Sequence, residues 1–344
     1  MTSIFDASAM AALRKDLALD PYLIRGLRNR LLKRFLPDSV AIGDFPEPQR
    51  LVLHCLELHR RSDSEIDGAT KLLFRTAAGM LIESVILRIA SGRTTLCISS
   101  QVGCAAACDF CATGRMGIAQ NLTTPQILDQ VLQAGQILTS EQRRLHNIVF
   151  MGMGEPFHNE QNLYEVLEIL TDVRQFERSP GSLLVSTVGI PEAMVRCARR
   201  FSRVNLALSL HSVNPEIRKA IIPLAVKYPL QDLKRAIAEV NRLQNVPLMI
   251  EYLMLENHND SMNQAQELAA WVMGLNVHIN LIPYNPIEDA PHLTGSAREV
   301  IENFSRTLKH AGLKVTTRHS LGADIAAACG QLVRDENRQR PQRT

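Results

Sequence analysis

The chain has 344 residues, of which 46% are hydrophobic and 21% charged, and its formal net charge at pH 7 is only +3. These values are ordinary for a globular protein with room for one barrel-sized domain and a small accessory domain. The sequence also predicts no membrane-spanning helix, since no apolar run approaches the ~20 residues that one requires. The first ten residues lack a basic-then-apolar leader, so we expect a cytoplasmic protein whose cysteines stay reduced.

Basic residues concentrate in two stretches, one between Pro21 and Phe35 and the other after Val333. The residues concerned are Arg25, Arg28, Arg30, Lys33, Arg34, Arg334, Arg338, Arg340 and Arg343. Such stretches can neutralise phosphates, or they can form a solvated helix face and a frayed tail. The sequence leaves both interpretations open.

The N-terminal region is predicted to be a small α+β extension. Residues 1–70 are expected to be helical, with two apolar stretches, and residues 71–76 and 80–89 are expected to form strands joined by a turn at Ala78-Gly79. The residues of the two apolar stretches are Leu23, Leu27, Leu31, Leu51, Leu53, Leu56 and Leu58.

From Thr94 onward, short β-rich runs alternate with amphipathic helices, a pattern typical of βα units around a parallel sheet. Two helix starts are expected at Thr124-Pro125 and Asn214-Pro215. The predicted strands are 94–99, 147–151, 183–186, 204–208, 248–255, 277–282 and 313–317. This pattern favours an α/β fold with a closed or partial (β/α) barrel, and a doubly wound open sheet is the alternative.

Three domain-level segments follow from this reading of the chain. We expect an N-terminal accessory domain at residues 1–90, whose basic stretch could dock the phosphates of an RNA, and a barrel core at residues 91–333. Residues 334–344 are expected to form a basic tail.

The most informative motif is a cysteine triplet, Cys104, Cys108 and Cys111, in a loop just after a strand. Three thiolates this close can converge on one soft metal centre. A structural zinc site would require a fourth ligand, and Cys97 and His146 are poorly placed to supply one. Three ligands suit a [4Fe–4S] cluster with one open iron, and this CxxxCxxC motif resembles that of the radical S-adenosylmethionine (SAM) superfamily.

Polar residues follow several of the predicted strands, and the carboxyl ends of the strands form the reactive face of a βα barrel. Glu155 is preceded by glycines that let the backbone approach a ligand closely, and its carboxylate could accept a hydrogen bond from an ammonium group. Ser186, His211 and Asn285 follow three other strands. Each is commonly a structural residue when it occurs singly, but their shared position favours a site.

Four cysteines lie outside the triplet. Cys55 and Cys197 are interpreted as small buried hydrophobic residues. Cys97 ends the first strand of the predicted barrel, seven residues before the triplet. Cys329 lies among alanines and a glycine, which leave room for a bulky substrate or cofactor.

Six longer motifs, spread over about residues 71–333, closely resemble the RlmN/Cfr family of radical SAM adenine methyltransferases. The motifs are Cys97-Ile-Ser-Ser-Gln-Val-Gly-Cys104, Cys111-Ala-Thr-Gly, Met151-Gly-Met-Gly-Glu-Pro156, Ser209-Leu-His211, Ile279-Asn-Leu-Ile-Pro283 and Asp324-Ile-Ala-Ala-Ala-Cys-Gly-Gln-Leu332. The resemblance implies an incomplete (β/α) barrel with an extra N-terminal domain. It also implies methylation of an adenosine in 23S rRNA, at C2 in RlmN enzymes, which also act on certain tRNAs, and at C8 in Cfr enzymes.

The same resemblance implies the roles of individual residues. Cys329 matches a cysteine that is first methylated by one SAM, and Cys97 matches the cysteine that releases the RNA adduct through a transient disulfide with Cys329. Glu83 falls where the family places a proton acceptor. The positions that match cluster ligands or SAM contacts are Cys104, Cys108, Cys111, Gly154, Glu155, Ser186, Ser209, Leu210, His211 and Asn285.

Several questions stay open at the level of sequence. Leu321-Gly322 is nearer to the Cfr pattern, whereas C2 methylation is the commoner activity, so C2 is slightly preferred. The expected partners are 23S rRNA, tRNA as a further candidate, and a low-potential electron donor such as flavodoxin, with the protein acting as a monomer. The alternatives are a radical SAM enzyme with another substrate and a non-catalytic zinc- and RNA-binding protein.

Overall fold

A computed structural model gives the fold of residues 1–117, 119–318 and 320–331. The predicted basic tail at residues 334–344, with its four arginines, lies outside the described residues. Among the described helices, none combines the length and the apolar composition that crossing a membrane demands.

Helices and strands alternate along most of the chain. The described helices are α1 (Ala7–Asp16), α2 (Pro21–Arg28), α3 (Asp38–Ala41), α4 (Thr124–Ser140), α5 (Glu160–Thr171), α6 (Pro191–Arg200), α7 (Pro215–Ile221), α8 (Leu230–Leu243), α9 (Met262–Trp271) and α10 (Arg298–His310). The described strands are β1 (Thr2–Ser3), β2 (Leu51–Val52), β3 (Leu56–Asp63), β4 (Ala69–Thr76), β5 (Leu81–Arg88), β6 (Thr94–Cys97), β7 (Gln101–Gly103), β8 (Ala119–Asn121), β9 (Asn147–Phe150), β10 (Leu183–Thr187), β11 (Asn205–Ser209), β12 (Leu248–Met254), β13 (Val277–Pro283) and β14 (Lys314–Thr317).

The predicted N-terminal helix is confirmed around its leucine spacing. Asp20 caps α2 by accepting a hydrogen bond from the backbone N–H of Tyr22 at 2.8 Å. A π-helical turn at Asn29–Lys33 continues directly from α2. Leu27 and Leu31 are buried on the inner face of this segment, as the spacing predicts.

The helical prediction is wrong for residues 51–70. This part of the chain contains β2 and β3, and β3 pairs in antiparallel fashion with β4. Leu56 and Leu58 are two residues apart, which is the spacing of a strand, yet Leu56 is buried and Leu58 is 39% exposed. Because β3 is an edge strand with one solvated face, its apolar pattern is too short to distinguish it from a helix.

A ten-stranded sheet forms the centre of the protein, in the order β14-β13-β12-β11-β10-β9-β6-β5-β4-β3. The seven strands β6 and β9 to β14 are parallel, and β3 to β6 are antiparallel neighbours. Their order follows the sequence without the reversal that defines a doubly wound sheet. The fold is therefore the expected partial (β/α) barrel with a small N-terminal α+β extension, and the proposed division at residue 90 stays a prediction.

The predicted helix starts are confirmed to within one residue. Asn214 caps α7 and accepts hydrogen bonds from the N–H groups of Glu216 and Ile217. Helix α4 is capped by Thr123 rather than Thr124, because Thr123 forms a capping box with the residue three positions later. Helices of this kind connect parallel strands, so the carboxyl ends of those strands lie at one edge of the sheet.

A histidine joins the N-terminal region to α4. The His54 Nδ1 and Nε2 atoms lie 2.7 Å from an Asp129 carboxylate oxygen and 2.9 Å from an Asp38 carboxylate oxygen. Burial lowers the pKa of His54, but the hydrogen bonds to Asp129 and Asp38 outweigh this effect and raise its pKa to about 10. Asp129 is fully buried and also accepts the backbone N–H groups of Cys55 and Leu56. The resulting imidazolium holds the two regions together.

Candidate active site at the carboxyl ends of the parallel strands

The cysteine triplet lies in a loop between β7 and β8, which pair with each other. The loop turns back on itself, since the Cys111 N–H donates to the Cys108 carbonyl at 3.2 Å. A Cβ atom at Gly114 would lie 2.8 Å from the Cys108 nitrogen, so this close approach requires glycine. The sequence thereby brings the three cysteines to the edge where the parallel strands end.

The three thiols influence one another electrostatically. Burial raises the pKa of Cys104 to about 12, and burial together with the neighbouring Cys111 and Cys104 raises the pKa of Cys108 well above its usual value. Burial also raises the pKa of Cys111. Thiolates in such a place require a compensating cation, and metal coordination deprotonates thiols outright.

This donor set fits an iron–sulfur cluster better than a single metal ion. Among the described residues, no group of three or more His, Cys, Asp or Glu side chains is arranged to hold one metal ion. A cluster of four irons spreads its cysteine ligands over a larger volume than a single ion does. Three soft thiolates supplied by one loop suit that cluster.

Glu155 is buried at the next strand end along the sheet. Its carboxylate accepts the N–H groups of Phe157 at 3.0 Å and Val188 at 2.8 Å. Burial nevertheless raises the pKa of Glu155 to about 7. Gly154 has φ +105° and its Cβ position would lie 2.6 Å from the Gln101 side chain, so the chain reaches this place only with glycine.

Two predicted serines converge on a carboxylate that the sequence analysis missed. Ser186 and Ser209 donate to the same oxygen, Glu251 Oε2, at 3.0 and 3.4 Å. The other oxygen, Glu251 Oε1, is buried with no hydrogen-bond partner among the described residues. A glutamate within the otherwise apolar strand β12 is the signal that could have identified it.

The hydrogen bonding of His211 defines the tautomer of its ring. Its Nδ1 atom accepts the backbone N–H of Leu253 at 3.0 Å, which leaves the proton on Nε2. Burial, reinforced by the positive charge of Arg218, lowers the pKa of His211 to about 3, so the ring is neutral. The adjacent Leu210 is fully buried, and the His211 ring makes an edge contact with Phe110 at 4.9 Å between centroids.

Asn285 contacts the loop that carries Cys329. Its side-chain amide donates to Ser320 Oγ at 3.0 Å and to the Cys329 carbonyl at 3.1 Å. The next residue, Gly330, accepts the N–H of Ala112 at 2.8 Å, immediately beside Cys111. The Cys329 loop therefore lies against the cysteine triplet.

Cys97 and Cys329 line the same cavity inside the open barrel, which has a volume of about 380 Å³. We call this the thiol cavity, and its other polar lining residues are Thr95, Asn280, Arg318 and Ser320. Burial, together with the neighbouring Cys329, raises the pKa of Cys97 to about 12. Cys329 is exposed, yet the surrounding cavity walls partly desolvate its thiol and raise its pKa to about 11, against the opposing effect of Arg318.

Arg318 is a second residue that the sequence analysis missed. Burial lowers the pKa of Arg318, but the neighbouring Cys329, Glu251 and Cys97 outweigh this and raise it. Its backbone N–H donates to the Leu281 carbonyl at 2.8 Å, which anchors it to β13. It follows β14 directly, so its position at a strand end is the signal that could have identified it.

Glu83 is not among the residues that line the thiol cavity. It is fully buried on β5, on the same face of the strand as Val85, and its carboxylate lies 3.7 Å from Lys71 Nζ. Lys71 in turn donates to the Ala326 carbonyl at 3.2 Å, three residues before Cys329. Glu83 thus reaches the Cys329 loop through Lys71.

The hairpin between β3 and β4 also holds the Cys329 loop. Asp324 accepts the Ser64 hydroxyl at 2.9 Å and the Glu65 N–H at 3.0 Å, and Asp67 accepts the Gly322 N–H at 2.8 Å. These contacts join segments more than 250 residues apart in sequence. The N-terminal extension therefore positions a loop of the site.

The Radical SAM superfamily model matches residues 98–269. A probable RNA methyltransferase of Rhodopirellula baltica is 60% identical over 98% of this chain and 89% of its own length. The dual-specificity RNA methyltransferase RlmN of Ruthia magnifica is 40% identical over 81% of this chain and 78% of its own length.

A solved structure shares almost the whole fold. The radical SAM methyltransferase of Sphaerobacter thermophilus superposes with a TM-score of 0.90 and 34% identity, covering 96% of this chain and 99% of that one. The sequence relatives and the structural neighbour agree on the class of enzyme. The chain belongs to the RlmN family of radical SAM RNA methyltransferases.

Proposed function

We propose that this enzyme methylates an adenosine of 23S rRNA, at C2 in preference to C8, and that the methyl group passes through Cys329. Certain tRNAs are a further candidate substrate. The observation that carries the proposal is the shared thiol cavity of Cys97 and Cys329, together with the backbone bond from Ala112 to Gly330 that places the Cys329 loop against the cysteine triplet.

In this proposal Cys104, Cys108 and Cys111 hold a [4Fe–4S] cluster. When bound, the cluster supplies the electron for reductive cleavage of SAM to a 5′-deoxyadenosyl radical. The three thiols support this role because their pKa values are raised, so that metal coordination is what would hold them as thiolates. A low-potential donor such as flavodoxin would provide the electron, and we expect the enzyme to act as a monomer.

The SAM site would be formed by the polar strand ends. Glu155 presents a carboxylate to the SAM ammonium, while the neutral His211 keeps an N–H donor at Nε2. Ser186 and Ser209 orient Glu251, whose second oxygen is free to accept from a ligand hydroxyl. The remaining positions assigned to SAM are Gly154, Leu210 and Asn285.

The Cys329 thiolate would take the methyl group of one SAM, with S-adenosylhomocysteine leaving, and the 5′-deoxyadenosyl radical from a second SAM would abstract a hydrogen atom from that methyl group. The carbon radical would add to the adenine, and the adduct would give up one electron and the ring proton. The Cys97 thiolate would then attack the Cys329 sulfur, so that the disulfide forms as the S–C bond to the RNA breaks and the released carbon takes up a proton. Both thiols have raised pKa values, so each needs a nearby positive charge to ionise. Arg318 supplies that charge, since its guanidinium group lowers the pKa of both. We assign Arg318 to the stabilisation of these two thiolates.

Glu83 would act as the proton acceptor in the last steps. Its burial on β5 and its position 3.7 Å from Lys71 hold the carboxylate close to the Cys329 loop. Because it reaches the Cys329 loop through Lys71, its action requires Lys71 or the loop to move when RNA binds.

The direct test is nucleoside mass spectrometry of rRNA from cells that have or lack this protein, with 2-methyl- and 8-methyladenosine as standards. We expect 2-methyladenosine only in cells with the protein. Cys329→Ala should abolish the product, and Cys55→Ala, which changes a half-buried cysteine remote from the triplet in sequence, should not. Methylated adenosine from the Cys329→Ala enzyme would show that another substrate chemistry operates.

A further inference from the structure

A second cavity lies outside the barrel, between the N-terminal helices and the loop after α5. Its volume is about 400 Å³. Five of its lining residues are basic and none is acidic: Arg14, Arg25, Arg28, Lys33 and Arg174. We call it the arginine cavity. Its remaining walls are mostly apolar and include Met10, Pro21, Ile24 and Val173.

Two of the five positive charges are already compensated. Lys33 lies 2.7 Å from a Glu177 carboxylate oxygen, and Arg174 pairs with Asp172 at 3.2 Å. For Arg14, Arg25 and Arg28, the described residues provide no ion pair. The cavity therefore keeps a surplus of about three positive charges in a small concave space.

Arg28 is the most constrained of these residues. Its Nε and Nη2 atoms are buried and have no hydrogen-bond acceptor among the described residues. Burial lowers the pKa of Arg28, although the nearby Asp172 opposes this effect. Buried guanidinium donors without an acceptor are unfavourable, and a bound anion would satisfy them.

The local backbone is unusual and firmly held. The π-helical turn at Asn29–Lys33 places both of its end residues on the cavity wall, and such turns often occur at functional sites. Phe176, in the loop after α5, lies between Phe5 and Phe35 at 6.3 and 6.2 Å between ring centroids. The two walls of the cavity are thus joined by an aromatic cluster.

The arginine cavity is remote from the reacting groups. Helix α5 has 12 residues and leads from the strand end at Glu155 back to the amino ends of the strands, a distance of roughly 18 Å. An RNA whose reacting base lies at the thiol cavity would have to span at least this distance to reach the arginine cavity, which the length of a folded polynucleotide allows. A polyanion of that size fits the uncompensated arginines.

We propose that the arginine cavity binds a phosphodiester of the RNA substrate at a position distant from the methylated base. Arg14, Arg25 and Arg28 contact the phosphate oxygens, and the apolar wall packs against the adjoining sugar. This inference rests on the proposed function, because it takes RNA as the substrate. Not every residue of the basic stretch is assigned to RNA. Arg30 donates to the Ala41 carbonyl and Lys33 pairs with Glu177, so these two residues bind within the protein.

The test measures binding of a fluorescent transcript of the 23S rRNA peptidyl transferase region to the reconstituted enzyme. Arg25→Glu/Arg28→Glu should raise the Kd at least 10-fold and reduce the salt dependence of log Kd by about two units. Arg235→Glu/Arg242→Glu makes the same charge change at exposed positions on α8 and should change the Kd less than 2-fold.

If the double variant does not fold, Arg25→Glu alone changes an exposed side chain and should still raise the Kd roughly 3-fold or more. Unchanged binding in either variant, or an equal loss in the control pair, overturns the inference. Methylation of the transcript by the wild-type enzyme at saturating RNA is measured in parallel, because it tests the proposed function independently of the binding result. If the wild type methylates the transcript and the variants bind it normally, only the role of the arginine cavity fails.

Discussion

The thiol cavity and the arginine cavity have nearly equal volumes, about 380 and 400 Å³, but they differ in whether their arginines have anionic neighbours. In the thiol cavity a single arginine, Arg318, faces Glu251 and two thiols that can become anions. In the arginine cavity three guanidinium groups form no ion pair with the described residues. A positive charge that has an anionic neighbour can shift pKa values within the protein, whereas one without such a neighbour remains available to a partner that brings its own anions.

The largest expected effect concerns Arg318. Arg318→Met should slow methylation of Cys329 by about 10-fold or more at pH 8, because losing the cation raises the pKa of the Cys329 thiol further and reduces the thiolate fraction. Peptide mass spectrometry of Cys329 after incubation with SAM measures this rate. Arg318→Lys keeps the charge and should retain most of the activity.

The rate of Cys329 methylation as a function of pH is a second test of Arg318. The pKa of Cys329 is about 11, so its methylation should accelerate as pH rises towards that value. In Arg318→Met the same rise should move to higher pH. An Arg318→Met profile that overlays the wild type would show that Arg318 does not control the thiolate.

Glu251 is the carboxylate whose charge acts on Arg318. Glu251→Gln keeps the shape but removes the charge, and we expect the KM for SAM to rise about 10-fold through loss of one charge-assisted hydrogen bond. Initial rates over a SAM titration measure it, and Glu256→Gln on the exposed side of the following turn is the control. Equal effects of the two substitutions would remove Glu251 from the site.

His54 tests the stability of the scaffold rather than its activity. His54→Ala should lower the free energy of unfolding by roughly 2–4 kcal/mol at pH 6, since it leaves the buried Asp129 carboxylate without its cation. His59→Ala on the exposed strand β3 should have little effect. Urea unfolding monitored by circular dichroism measures both.

The pKa of His54 fixes the pH range of that contribution. Its folded pKa, about 10, lies above the ordinary value of 6.5, so the stabilisation is complete below pH 6.5 and is lost as pH rises through 10. The difference between wild type and His54→Ala should therefore shrink between pH 7 and pH 10.5. A constant difference across that range would mean that packing, not charge, accounts for the effect.

Sequence patterns predict the parallel part of this protein because each βα unit carries its own signal. A strand end such as Glu155 or Ser186 can be located from one short segment, and the fold then brings these ends together. The roles of Glu251 and Arg318 could not be predicted in this way, because each role depends on neighbouring residues from several separate strands. Strand β3 was not predicted because most of its residues face solvent, so it lacks a clear apolar pattern.

The arginine cavity shows the same limit more strongly. Arg25 and Arg28 are visible in the sequence as part of a basic stretch, but nothing local reveals that Glu177 neutralises Lys33 while Arg28 stays unpaired. That outcome depends on a loop about 140 residues later in the chain. Charge surplus is a property of the folded surroundings, whereas charge itself is a property of the sequence.

The central claim is that Cys329 carries the carbon unit and Cys97 releases it. Single-turnover reaction of the reconstituted Cys97→Ala enzyme with RNA, followed by a denaturing gel, tests it most directly, with Cys55→Ala as the control. We expect a covalent protein–RNA adduct in Cys97→Ala and free methylated RNA in the control. Free RNA alone in the Cys97→Ala lane would contradict it.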